Sequence, residues 1–413
     1  MTRRTLVFTL PFIVVLGLSP LGIRARQPPA AAWITAWGTS QQALGTMTIT
    51  NATVRMIARV TIPGDAVRIR LDNTFGTGPV VIGKAYVGQR VQGATLAAGS
   101  NRQLSFKGSA GVTIPAGGSV VSDPVALKVL AWQDLAVSLY VPDADVRPSQ
   151  HTNAVVTSYL SAHGAGDVAA DETRAPFTAT TTSTFWLKAI DVLSSSSTGA
   201  IVAFGDSITD GTCSTLDAHD RWEDWLAVRL QQEADTRGNG SGLKAVVNEG
   251  IGGNTVTRDN LSEPPASPPG IERLDRDVLS HAGVTHVVLF MGTNDIRRDA
   301  QAAQVIAGTE DIIRRVKARG LKIIGATIIP RHNAAPAPPN TGWNPAKTAI
   351  RNDVNRWMRT RAAFDGVIDF DRIVRDPANG DLIDASFNCG DGVHPSPRGY
   401  FEMGKAVPLL LFR

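Results

Sequence analysis

The chain has 413 residues, more than one ordinary hydrophobic core organises, so two domains are expected. Hydrophobic residues make up 43% and charged residues 19%, which excludes a mostly disordered chain, and no repeat marks a solenoid or propeller. Lysine and arginine total 41 against 37 acidic residues, scattered without a basic run, so the charge reads as a solvated surface and not a nucleic-acid footprint; two cysteines exclude a disulfide-dense scaffold and a four-cysteine zinc site.

At the N-terminus, Arg3 and Arg4 precede an apolar run over residues 6–18, with small residues at Ala25 and at Ala30, Ala31 and Ala32. This is the layout of a secretory signal peptide, and residues 1–32 are read as a leader. The run is shorter than the roughly 20 residues a bilayer core needs, and no cysteine lies near the cleavage region. The expectation is a secreted or periplasmic protein without a stable membrane anchor, folded in an oxidising compartment.

Residues 33–195 follow period two. Val67-Arg68-Ile69-Arg70-Leu71 alternates apolar and charged, and Leu135, Val137, Leu139 and Val141 alternate with Ala136, Ser138 and Tyr140. Turn signals recur at Pro63-Gly64, Gly76-Thr77-Gly78 and Gly117-Gly118. Short alternating strands between regular turns predict an all-β sandwich or jelly roll. Residues 194–199, four serines followed by Thr198 and Gly199, read as a short polar linker. The tryptophans of this half, Trp33, Trp37, Trp132 and Trp186, are expected to pack rather than to form a sugar platform.

Residues 196–413 follow a different grammar, strand then loop then helix. Apolar runs at 200–204, 245–247, 286–291, 322–329 and 367–370 predict strands buried on both faces. Helical patterns lie at 221–236, at 300–319 with Gly320 as a stop, and around Ile350, Val354, Trp357 and Met358; a last helix begins at Ser396-Pro397, an N-cap followed by proline. Alternating strands and helices give a parallel sheet covered on both sides, and ligands of such sheets bind beyond the carboxyl ends of the strands.

Four polar groups stand at such positions. After the first strand comes Gly205-Asp206-Ser207-Ile208-Thr209-Asp210-Gly211, after the second Gly250-Ile251-Gly252-Gly253-Asn254-Thr255, after the third Gly292-Thr293-Asn294-Asp295, and near the end Asp391-Gly392-Val393-His394. Taken singly, these read as a helix cap, a turn, another cap, and a loop acid beside a surface histidine. Together they supply a nucleophile, oxyanion donors, a base and its orienter, a full acyl-transfer set. The glycine-rich stretch is neither a phosphate loop nor a dinucleotide fingerprint. The other six histidines form no metal pattern.

These four blocks resemble those of the SGNH branch of the GDSL esterase/lipase family, with Ile208 in place of leucine. Ser207, Gly253, Asn294 and His394 match the four family letters over residues 199–413. Trp37-Gly38-Thr39-Ser40 and Asn73-Thr74-Phe75-Gly76 are similar to the β-sandwich that precedes this domain in secreted bacterial two-domain members. The resemblance implies a three-layer, flavodoxin-like hydrolase domain with a parallel sheet. It further implies a serine esterase without metal or other cofactor: Ser207 as nucleophile, His394 as base, Asp391 orienting it, and the Ser207 and Gly253 N–H groups with the Asn294 amide as oxyanion hole. If these groups converge, Cys213 and Cys389 converge too, and a disulfide between them is expected. The expected substrate is a small-molecule or polysaccharide-linked ester with a short acyl group. The alternatives are a lipid esterase or lysophospholipase, acyl transfer to an acceptor other than water, and an inert surface- or carbohydrate-binding protein. The proline-rich stretches 263–270 and 334–340, with His332 and Trp343, are expected at the pocket rim.

Overall fold

The computed structural model describes residues 1, 2, 6, 30–237, 242–331 and 342–413. Most of the leader, His332 and the stretch 334–340 therefore lie outside the described residues.

The N-terminal half is built from antiparallel sheets. One has the order Ala32–Gly38, Leu187–Ser194, Gly64–Asp72, Ser119–Val121, with Val125–Val129 also paired to Gly64–Asp72. A second runs Phe177–Thr181, Ser158–Ser161, Ala52–Arg59, Asp134–Val141, Lys84–Gln92, Thr95–Leu96, with Arg102–Leu104 paired to Lys84–Gln92; two small sheets, Thr184–Phe185 with Ser149–His151 and Ala43–Leu44, and Val80–Ile82 with Val112–Ile114, complete this half. Alternation sorts the faces. Val67, Ile69 and Leu71 are buried, while Arg68 between them reaches the Asp191 carboxylate at 2.9 Å. Val54, Met56, Val137 and Leu139 of the second sheet enter the same core as Ile69, Leu71 and Val192 of the first. Each such aliphatic burial contributes about 1.5–3 kcal/mol. Trp186 is fully buried in that core, and Trp33, Trp37 and Trp132 are half-buried.

The C-terminal half holds a five-stranded parallel sheet, Ser197–Gly205, Leu243–Gly250, Val284–Phe290, Lys322–Ala326 and Gly366–Ile368, in the spatial order 2-1-3-4-5. The first strand lies inside the sheet, paired on both sides through Val202 with Val247 and Val287. Its residues alternate between two apolar layers. Val202 and Phe204 pack with Leu274 and Val278 of the helical segment 270–279, with Val305, Ile312 and Val316 of Ala302–Ala318, and with Val354 of Pro345–Thr360. Ile201 and Ala203 pack with Trp222 and Leu226 of Trp222–Thr236, Phe370 of Phe370–Val374, and Tyr400 and Met403 of Pro397–Ala406. The helix caps are those the sequence offers: Asn344 and Ser396 accept from Lys347 N–H and Gly399 N–H, each before a proline.

Three expectations are corrected. Residues 194–199 are not a linker with slack: Ser194 ends one strand and Ser197 begins the next, where its Oγ donates to Leu243 O at 2.9 Å. Only Ser195 and Ser196 stand between the two sheets. The fourth strand stops at Ala326 and the fifth at Ile368; just beyond them Thr327 N–H still donates to Ile368 O at 3.0 Å, while its Oγ1 donates to Asp369 Oδ1 and accepts from Asp371 N–H. The segment 263–270 is not loop throughout; Gly270 opens a helix that carries Arg273 and Asp277.

The two halves share a buried seam. Thr35 N–H donates to Ala282 O at 3.0 Å, and Ala282 N–H returns to Thr35 Oγ1 at 2.9 Å. The strand Ala32–Gly38 crosses so close that a Cβ on Gly38 would stand 2.7 Å from Val247 Cγ1 and 2.8 Å from Glu249 Oε1. Lys188 of the sandwich, side chain 1% exposed, bonds Glu249 at 3.1 Å and Asp277 at 2.5 Å, both fully buried. Arg273 and Arg276 close on Asp277 at 3.1 and 2.7 Å, and His281 Nε2 meets Glu249 Oε1 at 2.5 Å. Burial raises the pKa of both carboxyls, but these cations outweigh it and hold Asp277 well below the usual range.

Candidate active site

The first parallel strand, Ser197–Gly205, delivers Ser207 through a tight turn. Asp206 caps the short helix Ser207–Asp210 by accepting Ile208 N–H at 3.0 Å, and Gly211 ends it with a φ of 100°. Ser207 is therefore held on a strand-to-helix corner beyond the carboxyl edge of the sheet. Its Oγ lies 2.8 Å from His394 Nε2. His394 Nδ1 lies 2.5 Å from Asp391 Oδ2, while Asp391 Oδ1 accepts the backbone N–H groups of Val393 and His394, each at 2.8 Å. The three-residue spacing lets the acid fold back on its own loop and grip both the histidine ring and its backbone. Burial alone would raise the Asp391 pKa; the bonds from His394 and the nearby N–H groups overcome it and hold it at about 2. Asp391 is thus ionised at neutral pH.

The second and third strand ends bring the remaining groups. Gly253 has a φ of 72°, which a side chain rarely adopts, and a Cβ there would meet no atom within 4 Å. Among the described residues, no protein acceptor takes the N–H of Ser207 or of Gly253. Asn294, at the start of the helix Thr293–Arg297, spends one amide hydrogen on Asn254 O at 3.1 Å and keeps the other. Asp295 accepts Val256 N–H at 3.0 Å and Thr257 N–H at 3.1 Å, tying the third strand end to the glycine-rich loop. Burial pushes the Asp295 carboxyl up to about 7 and the Asp206 carboxyl up to about 6, each against the N–H bonds it accepts. An open cavity of about 350 Å³ is lined by Ser207, Gly253, Asn294, Asp391 and His394 together.

Cys213 and Cys389 are joined in a disulfide, with Cα atoms 6.2 Å apart across 176 residues of sequence. It links the segment after Ser207 to the loop of Asp391 and His394. Among the described residues, the one group with metal-ligand spacing is Cys213, Cys389 and Asp391, and its sulfurs are committed to each other. Trp343 is nearly buried, donating Nε1–H to Thr348 Oγ1 at 3.0 Å, with Arg331 stacked over its ring at 5.5 Å.

Several residues of the site have no separate signal in the sequence. Asp210 Oδ2 accepts Gly252 N–H at 3.0 Å, next to Gly253, and its Oδ1 meets His151 Nε2 at 2.9 Å. His151 belongs to the sandwich and fixes its other nitrogen on Ser40 O at 2.9 Å. Burial alone would lower the His151 pKa, but the Asp210 carboxylate outweighs it and raises it. Arg273, wholly buried over the Phe204 ring at 4.2 Å, donates to Gly205 O at 2.8 Å, Glu249 O at 2.9 Å, Asn254 Oδ1 at 3.0 Å and Ser40 Oγ at 2.8 Å. It clamps the ends of the first two parallel strands. Arg297, Arg298 and Arg331 also line the cavity. Arg297 and Arg298 follow the Asn294 block directly and Arg331 follows the fourth strand, so their positions beyond strand ends were the available clue.

A family model of the GDSL-like lipase/acylhydrolase family matches residues 203–400. No curated protein matches the chain. Among solved structures, a carbohydrate acetylesterase from Sinorhizobium meliloti is 19% identical, with a TM-score of 0.39, over 50% of this chain and 95% of its own. An aryl esterase from M. smegmatis is 20% identical, with a TM-score of 0.38, over 50% and 94%. A GDSL-like lipase from Bacteroides thetaiotaomicron is 18% identical, with a TM-score of 0.36, over 52% and 87%. With the serine block inside the matched span and the polar groups gathered at its strand ends, residues 203–400 are a domain of the GDSL-like lipase/acylhydrolase family, and the protein is an ester hydrolase.

Proposed function

We propose that the protein is a secreted serine esterase of three-layer, flavodoxin-like SGNH type, hydrolysing short-chain carboxylic esters such as acetylated carbohydrate through an acyl-enzyme. The observation that carries this reading is the run Ser207 Oγ, His394 Nε2, His394 Nδ1, Asp391 Oδ2, at 2.8 and 2.5 Å, opening on a cavity that unbonded N–H donors also reach. With its proton on Nδ1 facing Asp391, His394 presents a lone pair at Nε2 to the Ser207 hydroxyl. As Oγ attacks the ester carbonyl, the proton passes to Nε2 and Asp391 balances the charge. The carbonyl oxygen becomes an oxyanion received by the Ser207 and Gly253 N–H groups and the free Asn294 amide hydrogen; one such donor is typically worth roughly 3–4 kcal/mol. Collapse breaks the carbon–oxygen bond to the alcohol, which takes the proton from His394. Water then attacks the acyl carbon as His394 takes its proton; the bond from that carbon to Ser207 Oγ breaks, His394 returns the proton to Oγ, and the acid leaves.

Short acyl groups fit the cavity wall. Of its described lining residues only Val393 carries an apolar side chain, and an extended lipid chain would desolvate guanidinium and amide groups there. Export is supported by the leader pattern of residues 1–32 and by the disulfide, which persists in oxidising compartments. The experiment is hydrolysis of p-nitrophenyl esters from acetate to palmitate by wild type and Ser207→Ala. The expected result is a maximum at two to four acyl carbons and a loss of about 10³-fold or more in the variant. A maximum at long chains overturns the short-acyl reading, and full activity in the variant overturns the nucleophile.

A further inference from the structure

Three guanidinium groups, Arg297, Arg298 and Arg331, line the cavity that holds Ser207 and His394. Their counter-charges are accounted for unequally. Arg297 is paired with Glu263, and Arg298 Nε lies 3.5 Å from the same Glu263 oxygen. One carboxylate thus serves two cations. Arg298 also gives one N–H to Asn294 O at 3.3 Å. Arg331 has no such partner. It is 5% exposed, its Nε is buried without an acceptor, and among the described residues its terminal nitrogens make no hydrogen bond or ion pair. Its contact is the Trp343 ring, which holds the guanidinium plane from one side. The acids whose charge reaches it, Asp391 and Asp206, do not bond it: both Asp391 oxygens are taken by the His394 loop, and Asp206 is turned to Ile208 N–H.

A buried guanidinium without an acceptor is unfavourable, and its fork of donors matches a carboxylate, phosphate or sulfate. Burial also depresses Arg331 to about 10, which leaves it charged at neutral pH. From this geometry we infer that the cavity is an anion-binding subsite and that the preferred substrate is an ester carrying a negative group close to the scissile bond, received by Arg331 with Arg298. The inference rests on the esterase reading for the position of the ester and deepens it, since a neutral acetyl ester leaves Arg331 unpaired. The shared chemistry is a compact anion; it can sit on the acyl side, as in a dicarboxylic half-ester, or on the alcohol side, as in an acetylated acidic sugar.

Both sides can be assayed with matched ester pairs, each rate normalised to spontaneous hydrolysis. The acyl pair is 4-nitrophenyl hemisuccinate against 4-nitrophenyl butyrate. The alcohol pair is 4-acetoxybenzoate against its methyl ester. One side should show kcat/KM higher for the anion by about 10- to 100-fold, the range of one or two charge-assisted hydrogen bonds. Arg331→Gln should collapse that ratio towards one, and Arg331→Lys should keep part of it. Arg298→Gln supplies the same test if Arg331→Gln does not fold. Calorimetric titration of Ser207→Ala with inorganic phosphate reads the subsite without turnover, and binding should vanish when Arg331→Gln is added. Ester hydrolysis with neither an anion preference nor phosphate binding overturns the inference and leaves the esterase reading intact. Phosphate binding that depends on Arg331, with no ester hydrolysed, upholds the subsite and removes the esterase reading.

Discussion

At the scale of single residues, the site holds two acids of opposite tendency. Asp391 is kept near 2 by its bonds to the His394 loop, so it stays ionised at neutral and mildly acidic pH. Asp295 is pushed to about 7 by burial while it supports the glycine-rich loop through Val256 and Thr257. A carboxyl raised in the fold binds its proton more tightly there than in the unfolded chain. Its contribution to stability is therefore complete below about pH 4 and is lost as pH rises towards 7. Asp206, raised to about 6, acts in the same sense over a narrower window. Asp295→Asn keeps an oxygen for the two N–H groups and carries no titrating proton. Urea unfolding at pH 4, 5.5 and 7 should show wild type losing up to about 4 kcal/mol from this group, and the variant losing correspondingly less. Equal slopes in the two proteins would show that Asp295 does not titrate in this window.

At the scale of elements, the site is assembled from the ends of three parallel strands and one late loop, and the sandwich reaches into it. His151 stands on the short strand Ser149–His151 and holds Asp210, which holds Gly252 N–H beside Gly253. Removing the imidazole frees Asp210 and lets the loop that presents Gly253 relax, far from any bond made or broken. Misplacement by about 1 Å can cost on the order of 100-fold. His151→Ala is expected to lower kcat by about 10- to 100-fold with KM changed less than threefold, and steady-state kinetics on p-nitrophenyl acetate measures it. An unchanged kcat would mean that the loop holds itself. The blocks around Ser207, Gly253, Asn294 and His394 were legible in the sequence because each sits next to an apolar strand or a capped helix. His151 was not: it stands 59 residues before Asp210 on a three-residue strand, and nothing local distinguishes it from a surface histidine. The fourth and fifth strands were overextended for a related reason. Apolar residues continue past Ala326 and Ile368, and the bonds that the Thr327 side chain makes to Asp369 and Asp371 just beyond both strands are tertiary.

At the scale of the molecule, the two halves are joined by more than their two-residue connection. Lys188 and Ser40 from the sandwich meet Glu249, Arg273 and Asp277 from the hydrolase domain, with no water-exposed carboxylate among them. Breaking such a buried pair from one side typically costs 3–5 kcal/mol, roughly, because a charge is left unpaired. The same network holds Gly205 O and Glu249 O through Arg273, so the seam and the edge of the sheet that carries Ser207 are one construction. The change from period two to strand and helix near residue 195 was visible in the sequence. The seam was not, since its partners are far apart in the chain, 209 residues for Ser40 and Glu249. Ser40 belongs to the Trp37-Gly38-Thr39-Ser40 stretch, whose purpose becomes physical only here: Gly38 permits the close crossing, and Ser40 hydrogen-bonds the buried acid.

The central claim is that Ser207 is the acyl-accepting nucleophile, activated by His394. Intact-mass and peptide analysis after treatment with a fluorophosphonate tests it directly, because the reagent bonds an activated serine and needs no knowledge of the natural ester. One adduct per chain is predicted, on the peptide containing Ser207, formed at least 100-fold more slowly in His394→Ala. No adduct in the folded protein, or an adduct on another serine that forms equally fast without His394, would contradict it.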